Sequence, residues 1–225
     1  MLQPAQRRGL AEEAADRVRE EIFAGRIAPG SALREVELAA SLQVSRGSVR
    51  EGLTMLEREG LVRSVWHKGT RVIDLTEEDV EEVYAVRAAL DRLAATTAAT
   101  RATDEQLAEL DRLVAEMATE NDGLRLLPLD LAFHEVIYQA AGNRRLLEAW
   151  HAVRSQVRLF QSHRIRFDQE RYRARVVDEH RELAELLRAG DVARLAEVAE
   201  VAEEHVHSAR RALITGLSNR PPAAT

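Results

Sequence analysis

The last two-thirds of the chain carries a nearly unbroken helical period, and this constrains the fold more than any other feature. Apolar residues recur there at three- and four-residue spacing. The spacing predicts helices over about 77–100, 104–120, 129–141, 144–166, 168–189 and 192–216. Thr76 and Asp79 resemble a capping box, with Asp in place of the usual Glu or Gln. Thr103 and Asp191 read as further caps, and Gly142 and Gly190 as stops. Residues 121–128, ending in Pro128, read as the longest loop. Six amphipathic helices in series bury their stripes against one another, so residues 76–217 are expected to form an all-α bundle. The end of the chain, 218–225 with Pro221-Pro222, is expected to be a disordered tail.

The front third has a different punctuation. Leu10, Ala14, Val18 and Ile22 keep helical spacing, and Pro29-Gly30 then turns the chain. A short helix with Leu38 and Leu42 on one face is followed by the turn Gln43-Val44. Ser45 is a natural N-cap for a helix over about 46–59, whose stripe is Val49, Leu53 and Leu56. After Gly60 the period changes. Leu61, Val62, Val65 and Trp66 read as a strand, His67-Lys68-Gly69 as a hairpin tip, and the segment from Thr70 to Ile73 as the return strand. Residues 8–75 therefore read as a helix-turn-helix with a two-stranded wing. The fold class is mainly α: an N-terminal winged helix-turn-helix and a C-terminal bundle.

The helix that follows Ser45 has the chemistry of a DNA reader. Ser45, Arg46, Ser48 and Arg50 lie at its N-terminal end, where such helices meet base edges in the major groove. Arg46 and Arg50 are four apart and share a face, and Arg can bond guanine O6 and N7 bidentately. Gly47 allows close backbone approach, and Lys68, Gly69 and Arg71 on the wing are within reach of phosphates or the minor groove. A solvated Arg/Glu face would use the same residue types; the preceding turn and the following wing favour the DNA reader.

Charge fits two modules. The net charge is 32 − 38 = −6, too acidic for a nucleic-acid coat. Residues 1–75 hold 12 cations and 11 anions, a balance of +1, which leaves 20 − 27 = −7 for the remainder. There is no cysteine, which removes disulfides and thiolate chemistry and fits a cytoplasmic protein. No apolar run reaches the length of a membrane span, and the first ten residues lack the apolar core of a secretory signal.

Within the helical region, Asp130 and His134 are one turn apart among Leu129, Leu131, Phe133, Ile137 and Tyr138. His180 lies in line with Val176, Leu183 and Leu187, and His205 with Val198, Ala202, Ala209 and Leu213. A histidine on an apolar stripe needs a polar partner. Asp130 and the three imidazoles would satisfy one another around a divalent ion, and three nitrogens and one oxygen suit Zn, Ni, Mn or Fe with open positions. His207 faces Glu203 and Arg210 and is expected at the surface. Asn143 reads as a helix cap.

Two resemblances follow. Gly25, Pro29-Gly30, Leu33, Glu37-Leu38-Ala39, Val44-Ser45-Arg46, Val49-Arg50-Glu51, Leu53, Leu56, Glu59-Gly60-Leu61-Val62, Gly69 and Val72 resemble the winged-helix domain of GntR-family transcription regulators. Gly47-Ser48 and Gly52 depart from the usual Thr-Pro and Ala, at positions expected to touch DNA. Residues 78–216 resemble the FCD effector domain of the FadR/VanR branch. The resembling segments are Tyr84-x-x-Arg87-x-x-Leu90-Asp91, Asp130-x-x-Phe133-His134, Ala140-Ala141-Gly142-Asn143, Glu179-His180-Arg181, Ala189-Gly190-Asp191 and His205-Val206.

This resemblance implies a homodimer that reads double-stranded operator DNA with two-fold symmetry. It also implies a divalent metal on Asp130, His134, His180 and His205 beneath a small carboxylate effector. Tyr84 and Arg87 are the candidate effector contacts, although Arg87 is equally placed to pair with Asp91 four residues on. The stretch from Gly190 to His205 runs about three residues longer than the family's pattern, a turn of roughly 60° from full register. His205 is therefore the ligand most dependent on the three-dimensional structure.

Three other functions compete with a ligand-responsive regulator: a regulator that senses the metal itself, a regulator whose bundle merely dimerises without ligand, and a helical-bundle metalloenzyme. The enzyme is the weakest reading. His134-Glu135 opens like a zinc-hydrolase motif, but Tyr138 stands where the second His belongs. Glycine-rich phosphate loops are absent from the sequence.

Overall fold

The computed structural model describes residues 9–67 and 69–218. They fall into two compact units that meet in sequence between Asp74 and Leu75.

In the first unit, α1 (Leu10–Phe23) packs on α3 (Arg46–Arg58), with α2 (Glu35–Leu42) alongside α3. Ala11, Ala14, Ala15, Val18 and Ile22 are buried on α1, and Val49, Gly52, Leu53 and Leu56 on α3. The small residues let the two backbones come close. A Cβ on Gly52 would lie 2.7 Å from the Ala11 carbonyl oxygen and 3.1 Å from the Ala15 nitrogen. Gly52 thus serves helix packing; its expected role at the DNA surface is corrected.

The wing has a strand that the sequence pattern did not predict. β1 (Ala32–Leu33) joins β2 (Val62–Val65) and β3 (Gly69–Val72) in an antiparallel sheet ordered β1-β3-β2. The Pro29-Gly30 turn creates it. Gly30 has φ +77°, its N–H donates to the Val72 carbonyl, and the Val72 N–H donates to the Ser31 carbonyl. Two residues are too few to show an alternating period. Trp66 lies beyond β2, in the turn, instead of within the strand.

The second unit holds α4 (Glu77–Ala98), α5 (Asp104–Thr119), α6 (Gly123–Ala140), α7 (Arg144–Phe167), α8 (Gln169–Ala189) and α9 (Leu195–Ser218), with a 3-10 turn at Val192–Arg194. α4 lies along α9 and touches α6 and α7; α6 sits between α5 and α7 and also meets α8. The expected capping box of Thr76 with Asp79 forms, and Thr103, expected as a cap, makes a second box with Gln106. Asn143 caps α7, and Gly190, at φ +58°, ends α8 in the left-handed region.

Several boundaries differ from the sequence reading; α4 ends at Ala98, and α9 begins at Leu195 after the 3-10 turn. α6 starts at Gly123, six residues before the expected 129. Asp122 caps it by accepting from the Leu124 and Arg125 N–H groups, and Leu126 and Leu127 are buried. Their burial carries the helix through Pro128, which cannot donate to the preceding turn. At the other end, α9 includes Ser218, which was expected to begin the tail; residues 219–225 lie outside the described residues.

Candidate functional site

The bundle brings four side chains to one point. α6 supplies Asp130 and His134, α8 supplies His180, and α9 supplies His205. One ligand atom from each lies within 4.8 Å of the others. They are 2%, 3%, 1% and 7% exposed, so no bulk water satisfies them. His205 falls in register and His207 does not: His207 is half-buried, not exposed as expected, and its Nδ1 has no hydrogen-bond partner.

The hydrogen bonds constrain the imidazoles. His180 Nδ1 lies 2.6 Å from the Val176 carbonyl. His205 Nδ1 donates to Glu179 Oε2 at 3.0 Å, and His134 Nδ1 faces Asp91 Oδ2 at 3.5 Å without a hydrogen bond. Glu179 can only accept, so a neutral His205 carries its proton on Nδ1; Arg87 can only donate, so His134 accepts through Nε2; His180 meets an acceptor through each nitrogen. The three Nε2 atoms converge. His134 Nε2 is 3.2 Å from His205 Nε2, and Asp130 Oδ1 is 3.0 Å from His180 Nε2 and 3.4 Å from His134 Nε2. Four potential ligand atoms crowd one point, an arrangement that a shared cation can bridge. Burial and the Arg87 charge hold His134 below its ordinary pKa, and burial brings His205 down to about 4, so protons are poor candidates for that cation. Burial opposes ionisation of Asp130, but the His134 and His180 rings against it outweigh burial and keep its carboxyl well below the usual range. The donor set fits a divalent ion.

Arg87 of α4 is buried beside this cluster. Its Nη2 donates to His134 Nε2 at 2.9 Å, and its Nε lies 3.3 Å from Asp91 Oδ2. Both expected roles of Arg87 are thus physically available. Its Nη1 and the Tyr84 hydroxyl are buried without a hydrogen-bond partner. Burial pushes the Tyr84 hydroxyl up to about 12, so it stays a donor. Two orphaned donors next to a cation site suit an anion.

The space around the cluster is uneven. A cavity lined by Asp91, Ala94, His134, Tyr138 and Leu183 measures about 10 Å³, room for about one water. On the outer side of His205, a pocket of about 340 Å³ is walled by Glu179, Glu182, Glu200, Val201 and Glu204.

In the first unit, Ser45 accepts from the Ser48 N–H at 3.1 Å and starts α3. Arg46 and Arg50 are exposed on that helix, and both lie near Glu35 of α2. A Cβ on Gly47 would meet only Ser45 Oγ, so packing does not require this glycine. Gly69, at φ +77°, has open space around it, and Arg71 donates to the Gly30 carbonyl at 2.9 Å. Lys68 lies outside the described residues. Trp66 is 86% exposed and packs edge-on against His67.

Residues 10–72 match the model of bacterial regulatory proteins, gntR family, and residues 82–208, more than half of the chain, match that of the FCD domain. The chain belongs to the GntR family. It is a DNA-binding transcription regulator with an FCD domain. The GntR chain is 33% identical over 187 residues to the probable D-xylose utilization operon transcriptional repressor of Paenarthrobacter nicotinovorans, covering 81% of this chain and 80% of that one. It is also 33% identical over 129 residues to the uncharacterized HTH-type transcriptional regulator YdhC of Bacillus subtilis; that match spans 56% of this chain and 58% of that one. A GntR transcriptional regulator structure from Rhodococcus sp. RHA1 has the same fold, with a TM-score of 0.75 at 23% identity, covering 94% of this chain and 99% of that one.

Three residues of this GntR bundle escaped the sequence reading. Glu179 holds His205 and also accepts from Ser208 at 2.8 Å. Tyr172 donates to Asp130 Oδ2 at 2.9 Å, and the buried Arg164 lies over the Tyr172 ring. Each acts across a helix–helix contact, which one-dimensional spacing does not reveal. The Tyr172 hydroxyl is raised well above its ordinary pKa by burial and by Asp130, so it remains a donor. Tyr138, where a zinc hydrolase would place its second His, donates to Asp91 instead.

Proposed function

We propose that this GntR regulator is a homodimer whose FCD domain binds a divalent metal through Asp130, His134, His180 and His205. A small carboxylate binds over it, and occupancy changes affinity for a two-fold symmetric operator. The carrying observation is the convergence of three buried imidazoles and one buried carboxylate, with one ligand atom from each within 4.8 Å of the others. When bound, the ion supplies positive charge and open positions that a carboxylate can occupy.

The chain's own residues do the rest. Glu179 and the Val176 carbonyl orient His205 and His180 through Nδ1, and Arg87, which can only donate, keeps the His134 proton off Nε2. Arg87 now donates to the lone pair of His134 that the metal would take, so filling the site frees a guanidinium for the carboxylate. Arg87 balances Asp91, and Asp130 offsets half of a divalent charge, which leaves a net positive site for an anion. The Tyr84 hydroxyl is a second donor for that anion. Val86 and Leu93 are exposed seven residues apart on α4, an apolar stripe suited to a second copy of the chain.

A metal-sensing regulator without an organic effector is the second reading, and the cavities favour it. The enclosed space holds no more than about one water. The roomy pocket is acid-lined, which attracts cations and repels carboxylates.

Metal analysis after metal-replete purification, followed by DNA titration with and without chelator, tests the shared core of both readings. About one equivalent per chain is expected, lost in His134→Ala and His180→Ala together with part of the thermal midpoint, since a ligand of the folded state alone stabilises it. Less than about a tenth of an equivalent, set against that linkage, contradicts the metal site. A small-acid thermal-shift screen separates the readings. An acid that raises the midpoint and shifts DNA affinity, with the effect lost in Arg87→Ala at intact metal content, supports the carboxylate effector. DNA binding that responds only to metal supports the sensor.

A further inference from the structure

One carboxylate sits where a DNA-binding surface has least use for negative charge. Glu35, the first residue of α2, accepts from Arg50 Nε at 2.9 Å and from Arg50 Nη2 at 2.8 Å. Arg46 Nη2 is 3.9 Å from the same carboxylate. Glu35 is only 27% exposed, whereas Arg46 and Arg50 are 63% and 64% exposed. The anion is therefore set into the surface and the two cations stand out from it.

A guanidinium carries five N–H groups along two usable edges. The pairing with Glu35 takes the side edge, Nε with one hydrogen of Nη2. The end edge, Nη1 with the other Nη2 hydrogen, has the two parallel N–H groups that guanine O6 and N7 accept. For gripping phosphate, an adjacent carboxylate is a disadvantage, because it cancels the attraction and repels the backbone. For reading a base it is an advantage: it fixes a long, mobile side chain in one orientation before contact. It also lowers affinity for every wrong sequence, which raises the specificity ratio.

We propose that Glu35 is the positioning residue for base reading by Arg50: it holds the guanidinium by its side edge, presents the end edge to a guanine, and disfavours phosphate binding at the same spot. This rests on Arg50 as a base contact. The simpler role for Glu35 is electrostatic, since an acidic residue in the first turn of α2 favours the helix dipole. That role affects stability but not base preference.

The test uses the full-length chain. The wild-type protein selects its preferred duplex from a random-sequence library. Binding is then measured by fluorescence anisotropy on that duplex, on versions with each guanine pair replaced, and on an unrelated duplex. The proteins are wild type, Glu35→Gln, Arg50→Ala and the double variant, each checked for folding by thermal melting. Glu35→Gln is expected to weaken the selected duplex by about fivefold or more, a part of the discrimination carried by a bidentate base contact. Binding to the unrelated duplex should hold or rise, preference at one guanine pair should collapse, and the double variant should be no worse than Arg50→Ala.

Equal tightening of Glu35→Gln on both duplexes would make the carboxylate a mere charge brake and overturn the proposal. Proportional weakening on both, with a lower midpoint, would make its role structural and overturn it too. Equal losses in Arg50→Ala on both duplexes would remove the base contact itself, and the proposal with it. Selective loss in Arg50→Ala with unchanged preference in Glu35→Gln would overturn the role of Glu35 alone.

Discussion

A histidine sealed inside this bundle stabilises the fold only while it stays neutral. Burial holds His205 down to about 4, and burial with Arg87 lowers His134. In the unfolded chain both titrate near about 6.5. Below that pH the unfolded state takes up protons that the folded state refuses, so acid favours unfolding. The metal-free protein is therefore expected to hold its stability above about pH 6.5 and lose it as the pH falls towards about 4, by up to about 1.4 kcal/mol per pH unit for each such histidine. Asp130 contributes in the same direction at lower pH, since its depressed carboxyl loses its advantage only below the usual Asp range. Thermal melts of chelator-treated protein across that window check this; a flat midpoint would show that the rings are not held neutral. Metal should steepen the loss, because protons and metal compete for the same nitrogens. At this scale the sequence was informative wherever partners share a helix. Asp130 and His134 are such a pair, and so are Arg87 and Asp91. Glu179 was not legible, because it meets His205 from a different helix.

Among the elements, local chemistry foretold most of the helix starts. Capping side chains act within three residues, so Ser45, Thr76, Thr103 and Asn143 could be read directly, and each caps its helix. The start of α6 could not. Pro128 signals a break by every local rule, and only the burial of Leu126 and Leu127 against other helices overrides it. β1 was hidden for the same reason, since its two residues are a strand only because β3 lies beside them. The case of α6 yields a prediction. Pro128 is exposed, so its ring supports no packing, yet it leaves the Leu124 carbonyl without its helical donor. Pro128→Ala should raise the thermal midpoint, by an amount on the order of 1–3 kcal/mol in stability. A drop in the midpoint would mean that α6 depends on the proline for its path.

For the whole molecule, the chain falls into two units, residues up to Asp74 with the winged helix and residues from Leu75 with the proposed cation site. Coupling between such sites is typically about 1–3 kcal/mol, or roughly 5–150-fold in affinity, and it is reciprocal. If metal tightens operator binding, operator DNA must slow or weaken metal loss by the same factor, measurable as a shift in metal affinity on adding duplex. The depth of the cluster has one more consequence. On the proposed metal site, an ion held by four side chains that are 93–99% covered would not meet a competing chelator where it sits; it would leave only when the bundle opens. Release should then proceed at a rate that does not rise with chelator concentration. Such a regulator would report history more than the present moment. It would load when metal is plentiful and keep its setting after the supply has gone, until the bundle opens or newly made, empty copies outnumber it.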